Sequence, residues 1–224
     1  MTATPGPSTG SLIDTDEMVA VHRAFRRELV LIPRLVRAVP AGDTARAGVV
    51  ARHARLVLKG LHIHHTGEDL LLWPTLLERA APSAEVIHRM ESQHGRVNEL
   101  VGRLEPAVTR WQAEARPAEG EELAATFDEL RLGLVEHLDD EEREILPIAA
   151  RSMSTQEWAA IGQHSAAEMA PSERPLMFGM ILEEATPDER ASMLATLPPP
   201  VRVLMRTVGS VQYRRYVGKV RAER

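Results

Sequence analysis

A chain of 224 residues can bury one sizeable core and still carry an appendage, and its net charge of −5 gives no global reason to expect nucleic acid as a partner. With no cysteine, disulfides, zinc–thiolate sites, iron–sulfur clusters and cysteine nucleophiles are excluded, so any transition-metal site must be built from His and carboxylate. Aromatic residues make up only 4% while Ala, Leu, Glu and Arg dominate, which favours helix over strand.

In chain order, Met1 to Gly10 is rich in Pro, Gly, Thr and Ser and lacks the basic start and apolar run of an export signal. Residues 1–13 therefore read as a disordered tail, and the protein as soluble and cytoplasmic. No apolar run approaches the ~20 residues of a membrane span. From Asp14 to Val39 apolar residues recur at helical spacing (Met18, Val21, Phe25, Leu29, Ile32, Val36), with Pro33 expected to kink the helix and Pro40 to Asp43 to end it. A second helix runs from about Thr44 through Leu77, bent at Pro74 and closed by Ala81-Pro82-Ser83. The third spans about Ser83 to Ala115, residues 116–120 form a loop, and the fourth spans about Glu121 to Ala150. Four long helices on short loops imply an all-α, up-and-down antiparallel four-helix bundle over residues 14–150.

Residues 151–224 read as a helical C-terminal extension. Ser154-Thr155-Gln156-Glu157 is a capping-box pattern, later prolines cut the segment into short helices, and a last helix from Val201 to about Val217 should expose Tyr213 and Tyr216 beside Arg214 and Arg215. The expected arrangement is an appendage packed on the bundle, with a surface for a protein partner as the alternative.

One phrase occurs twice. His64 and Glu68 are four residues apart, followed by Asp69, an apolar run and Pro74; His137 and Glu141 are followed by Glu142, an apolar pair and Pro147. Positions i and i+4 lie ~400° apart on an α-helix, so imidazole and carboxylate share one face, which is how a helix offers two metal ligands at once. The repeat extends upstream, since His22 lies 42 residues before His64 and His94 lies 43 before His137. Two such hairpins would bring a His from each of four helices, with Glu68 and Glu141, to the bundle centre, presenting ligands to two metals about an approximate twofold axis. Imidazole with carboxylate suits Fe, Mn or Zn better than Ca or Mg, and the spacing does not choose among the three.

The remaining histidines read differently. His62 should face away from His64, His53 and His88 read as ordinary helix residues, and His164 as an appendage residue. Glu85-x-x-His88 and Glu91-x-x-His94 match the Glu-x-x-His of ferritin-like sites, but those need the motif on two helices and here both lie on one. Asp69 and Glu142 are candidates to orient a histidine, to accept protons or to add a ligand, with a solvated acidic face as the alternative.

The order His22, His64-x-x-x-Glu68, His94, His137-x-x-x-Glu141 resembles the hemerythrin-like (HHE cation-binding) family over about residues 14–150, and the extension resembles that of actinobacterial-type members. The resemblance implies two iron ions, oxo- or hydroxo-bridged, with Glu68 and Glu141 bridging and His22, His64, His94 and His137 as terminal ligands. It also shows a departure. The oxygen-carrying members have two His one turn apart on the third helix, whereas Met90 and Asn98 flank His94 here, and His65 is either a replacement ligand or an outer neighbour. Fewer histidines imply more oxygen-rich ligation, and so a non-haem di-iron protein reacting with a small oxidant (peroxide, nitric oxide or O2) in oxidative or nitrosative stress, with catalase-like, peroxidase-like or NO-consuming activity. The alternatives are reversible O2 or NO binding, iron or oxygen sensing, or a metal-free helical interaction module. The expected partner is a small diatomic or peroxide ligand, with neither nucleic acid nor membrane.

Overall fold

The computed structural model describes residues 12–80 and 83–222, so most of the N-terminal tail and the Ala81-Pro82 closure lie outside the described residues. Every regular element in them is helical. The bundle is built from α1 (Asp16–Arg37), α2 (Thr44–Gly67) with its continuation α3 (Trp73–Arg79), α4 (Ala84–Glu114), and α5 (Pro117–Asp140) with its continuation α6 (Leu146–Ser152). Helix α5 packs along both α1 and α4, while α2 packs on α1 and α4 from the other side.

Several ends follow from local chemistry. The Asp43 carboxylate accepts from the Arg46 amide and caps α2. Gly42 turns at a φ of 77°, a backbone conformation glycine reaches without a Cβ penalty, and its amide donates to the Ala115 carbonyl, tying the α1–α2 turn to the α4–α5 turn. The expected loop at 116–120 is instead the first turn of α5, because Pro117 sits at its start, where a missing N–H costs nothing. Proline does act inside the two ligand-bearing helices, but not as a simple bend. A π turn, Glu68–Leu72, joins α2 to α3, and a second, Glu141–Ile145, joins α5 to α6. In each the amide just before the proline reaches back five residues, Trp73 to the Glu68 carbonyl and Leu146 to that of Glu141. The wider turn accommodates the ring of Pro74 or Pro147, which would otherwise meet the carbonyl four residues back.

The apolar interior has two main parts, with a small third cluster of Ala20, Ala185 and Met193 between α1 and the extension. The larger contains Phe25, Leu29, Leu61, Val97, Trp111 and Leu134, and the smaller contains Met18, Leu72, Trp73, Met90, Ile145 and Trp158. Along each of the four bundle helices a repeat histidine lies between a residue of one cluster and a residue of the other: His22 between Met18 and Phe25, His64 between Leu61 and Leu72, His94 between Met90 and Val97, and His137 between Leu134 and Ile145. The polar residues thus form one layer across the bundle, sealed at both ends by hydrocarbon.

The extension comprises α7 (Thr155–Glu168), α8 (Arg174–Glu184), α9 (Pro187–Ala195), α10 (Pro199–Leu204) and, after a π turn at Met205–Gly209, α11 (Ser210–Val220). Ser154 and Glu157 form the anticipated capping box on α7, and Thr186 with Glu189 forms another on α9. The extension packs on the bundle, with α8 and α9 on α1, and α7 and α11 on α2. Its two tyrosines are not displayed to solvent as the sequence suggests. Tyr213 is buried with its hydroxyl donating to Glu183, and the Tyr216 hydroxyl lies 3.0 Å from His53 Nδ1. His53 is itself a buried tie, its Nε2 donating at 3.0 Å to Glu28, which also accepts from Arg27 at 2.6 Å. Burial pushes the Glu28 carboxyl up, but hydrogen bonds from His53 and the Arg27 guanidinium outweigh it and hold the group below its ordinary value. The structure thus turns two residues of ordinary sequence context into the polar seam between bundle and extension.

Gly179 sits against this seam. A Cβ there would come within 2.4 Å of the Tyr213 ring, a contact the ring can relieve only by leaving its slot. Gly179→Ala is therefore expected to loosen the extension by about 1–3 kcal/mol, read as faster proteolysis within residues 170–222 while the bundle stays resistant.

Candidate metal centre

Seven side chains of the polar layer converge: His22 from α1, His64 and His65 from α2, His94 from α4, His137 from α5, and Glu68 and Glu141 from the first residues of the two π turns. All are buried, and the most exposed of them, His64, is only 6% accessible. They form two groups whose nitrogen and oxygen atoms lie within 4.8 Å of one another, His22–His64–Glu68–Glu141 and His65–Glu68–His94–His137, so Glu68 belongs to both.

The distances follow the sequence repeat. Glu68 lies 3.2 Å from His64 Nε2 on its own helix and 3.4 Å from His94 Nε2 in the other half. Glu141 lies 3.7 Å from His137 Nε2 on its own helix and 3.4 Å from His22 Nε2 in the other half. The outer nitrogens obey the same crossing. His22 Nδ1 donates to Glu142 at 2.9 Å, and His94 Nδ1 donates to Asp69 at 2.7 Å, so the acid that follows each central Glu braces the histidine of the opposite hairpin. Asp69 and Glu142 thus each bond a histidine nitrogen, Asp69 while remaining exposed to solvent. Each is held in turn, Asp69 by the Trp73 indole at 2.9 Å and Glu142 by Arg26 at 2.7 Å. His137 Nδ1 donates to the Gln93 carbonyl oxygen at 3.2 Å, and the Gln93 amide donates to Asp140 at 3.0 Å. A histidine whose Nδ1–H is fixed by an outer acceptor presents its Nε2 lone pair inward once it is neutral, the tautomer a metal needs.

Gln93, Trp73 and Arg26 carry no ligand-like signal in sequence, and only the packing reveals their part. His65 is drawn fully into the layer. Its ring stacks on that of His94, with centroids 4.1 Å apart, and meets His137 edge-on at 5.1 Å. The imidazole shortage expected from Met90 and Asn98 therefore does not describe the layer, which holds five imidazoles and two carboxylates. The other histidines stay apart. His62 faces solvent, His88 is exposed and bonded to Glu91, and His164 lies on α7 beside Gly67.

The protonation pattern shows how poorly hydrocarbon surroundings suit these groups without a cation. Burial drives His64 down to about 4 and, with the nearby charge of His94, drives His137 down to about 3. His94 moves the other way. Burial lowers it, but the hydrogen bond to Asp69 and the Glu68 carboxylate 3.4 Å away outweigh that and raise it to about 9. Burial also raises the two carboxyls; His64 and His94 still bring Glu68 down to about 2, whereas burial and the Glu68 charge push Glu141 well up. Nε2 of His22 and His64, both nitrogens of His65 and all four oxygens of Glu68 and Glu141 are buried without a hydrogen-bond partner in the protein. Groups this costly to desolvate are retained where a cation satisfies them, and imidazole with carboxylate is a donor set for a borderline transition metal.

A family model described as the hemerythrin HHE cation binding domain matches residues 14–149. No curated protein and no solved structure matches the chain.

In the metal-free protein, stability should peak near neutral pH. The depressed folded-state pKa values of His64 and His137 mean that the unfolded chain takes up protons first as pH falls below 6.5, so their contribution is lost between there and about 4 and 3. His94, raised to about 9, contributes fully below its unfolded value and loses that contribution as pH rises through about 9. Melting temperature against pH should fall on both sides, and His94→Gln should flatten the alkaline limb.

Proposed function

Because the chain belongs to the hemerythrin HHE cation-binding family, we propose that the polar layer holds two iron ions and reacts with a small oxidant such as peroxide, nitric oxide or O2. The observation that carries this reading is the convergence of eight unpartnered buried nitrogen and oxygen atoms on two groups that share Glu68. One ion would take donors from His22, His64, Glu68 and Glu141, the other from His65, Glu68, His94 and His137, Glu68 being common to both sets and Glu141 lying near both His22 and His137. When bound, the iron pair supplies redox equivalents and an exchangeable coordination position.

The chain's own residues set the terms. Asp69, Glu142 and Gln93 lock the outer nitrogens of His94, His22 and His137, which keeps those imidazoles oriented through a change of charge at the centre. The two apolar clusters exclude bulk water, and the depth of the layer favours a reactant of two or a few atoms over a larger substrate. Proton traffic has a route in the Asp69 carboxylate, which touches His94 inside and is itself exposed to solvent.

The fifth imidazole favours a second reading, reversible O2 or NO binding, or sensing, without turnover. His65 is the point at which the two halves differ, since its counterpart after His137 is Leu138, buried in the core. One group therefore offers three imidazoles with one carboxylate, the other two imidazoles with two carboxylates. Nitrogen-rich ligation stabilises the reduced ion relative to oxygen-rich ligation, so the two positions should differ in redox behaviour.

Metal analysis and the visible spectrum of aerobically purified protein should show two irons per chain, with a Tm that falls on chelation. His64→Ala combined with His137→Ala should remove the iron; retention of full occupancy would sink the assignment. Oxygen evolution on adding peroxide supports turnover, whereas a stable adduct of the reduced protein, released on lowering O2, supports carriage. His65→Leu should weaken iron binding about 10–100-fold and make the spectra of the two ions more alike.

A further inference from the structure

The outward side of α10–α11 is unlike the rest of the surface. From Ala191 to Ala222 the sequence holds Arg202, Arg206, Arg214, Arg215, Lys219 and Arg221 and not one Asp or Glu, in a chain whose net charge is −5. Arg202 is occupied with backbone carbonyls and Arg221 with Glu183. The other four side chains are exposed and make no ion pair among the described residues, whereas Arg23, Arg26, Arg27 and Lys59, where the bundle meets the extension or its own acids, are each matched to a carboxylate. The same outward side carries a run of exposed apolar side chains, with Val203 at 62%, Leu204 at 52% and Val208 at 59% accessible and Val201 and Val211 flanking them. Leu204, Val208, Val211, Arg215 and Lys219 recur at the spacing of one helical face. The inner face, through Gly209, Tyr213 and Val220, is already spent on the protein.

A helix held flat against a protein by its inner face, with apolar residues and unmatched cations together on its outer face, has the composition of a helix that lies in a lipid interface. We propose that the outer face of α10–α11 is a reversible docking surface for an anionic phospholipid bilayer. The charge complement is explicit, because phosphate headgroups neutralise the four free cations while Leu204 and the valines enter the headgroup–acyl boundary. A peptide groove is the poorer fit. The depression along this helix takes ten of its eleven lining residues from residues 206–219 and only Leu176 from elsewhere, so it lacks a second wall. A second copy docked face to face would bring only the same cations. None of the exposed apolar residues is aromatic, so attachment should be weak and governed by charge. No helix among the described residues is long and apolar enough to cross a membrane, and the proposal concerns the surface alone.

The test is cosedimentation of the full chain with vesicles. Vesicles of mixed phosphatidylcholine and phosphatidylglycerol should bind it at low salt, pure phosphatidylcholine should not, and binding should fall at least about tenfold as ionic strength rises from about 0.01 to about 0.5 M. Arg214→Glu with Arg215→Glu should abolish binding, and Leu204→Ser with Val208→Ser should reduce it several-fold. These side chains are exposed, so the far-ultraviolet circular dichroism and Tm should stay as in the parent protein. Arg110→Glu with Arg151→Glu changes the net charge equally at exposed positions elsewhere and should retain binding. No binding to the mixed vesicles, or an equal loss in that control, would overturn the proposal. Binding to soluble polyglutamate without binding to vesicles would also overturn it in favour of an acidic peptide. So would a dimer in solution that Leu204→Ser with Val208→Ser dissociates, if vesicles are not bound.

Discussion

Seven ionisable side chains share one buried layer, and the rest of the bundle answers to that constraint. Hydrocarbon above and below the layer raises the cost of each unpaired nitrogen and oxygen, and helix–helix packing alone cannot repay it. The protein meets the cost from two sides. Outer hydrogen bonds fix the Nδ1 atoms of His22, His94 and His137, and the inward atoms are gathered closely enough for a cation to satisfy several at once. The π turns belong to the same solution. By opening at Glu68 and Glu141 and closing before Pro74 and Pro147, they let one helix carry inward ligands on one side of the turn and core residues such as Leu76 and Ala149 on the other.

Near-twofold order runs through the layer, and its one departure is informative. Each central Glu approaches a histidine in both halves, and each following acid braces a histidine across the axis. His65 breaks the pattern against Leu138. A symmetric pair of ions would share charge evenly, whereas in the proposed centre an additional imidazole on one side would give an electron a preferred place to reside.

The repeat was legible in sequence because its logic is local: His and Glu at i and i+4, a trailing acid and a proline are all read on one helix. The bundle was legible for the same reason, from apolar periodicity and short connections. What lay beyond reach depended on partners far away in the chain. Asp69 and Glu142 could be solvated acids or braces until α4 and α1 were placed beside them, and Gln93 is an unremarkable polar residue until His137 arrives. Proline signalled a disturbance at 74 and 147 but not its form, since a bend and a π turn both relieve the same clash. At Pro117 the breaker signal misled, because proline also starts helices. Tyr213 and Tyr216 looked exposed because prolines interrupt the pattern of the extension and their partners, Glu183 and His53, come from other helices.

The crossed braces also bear on how the site comes into being. Residues 14–80 leave the ribosome before α4 and α5, carrying His22, His64, His65 and Glu68, yet the acid that orients His22 is Glu142, and the fold that buries the set needs α4 and α5. The early hairpin by itself offers loosely held ligands with no orienting neighbour for His22. Secure capture of metal must therefore wait until most of the bundle has been synthesised, which builds a delay between the first ligand and the finished centre into the order of the sequence.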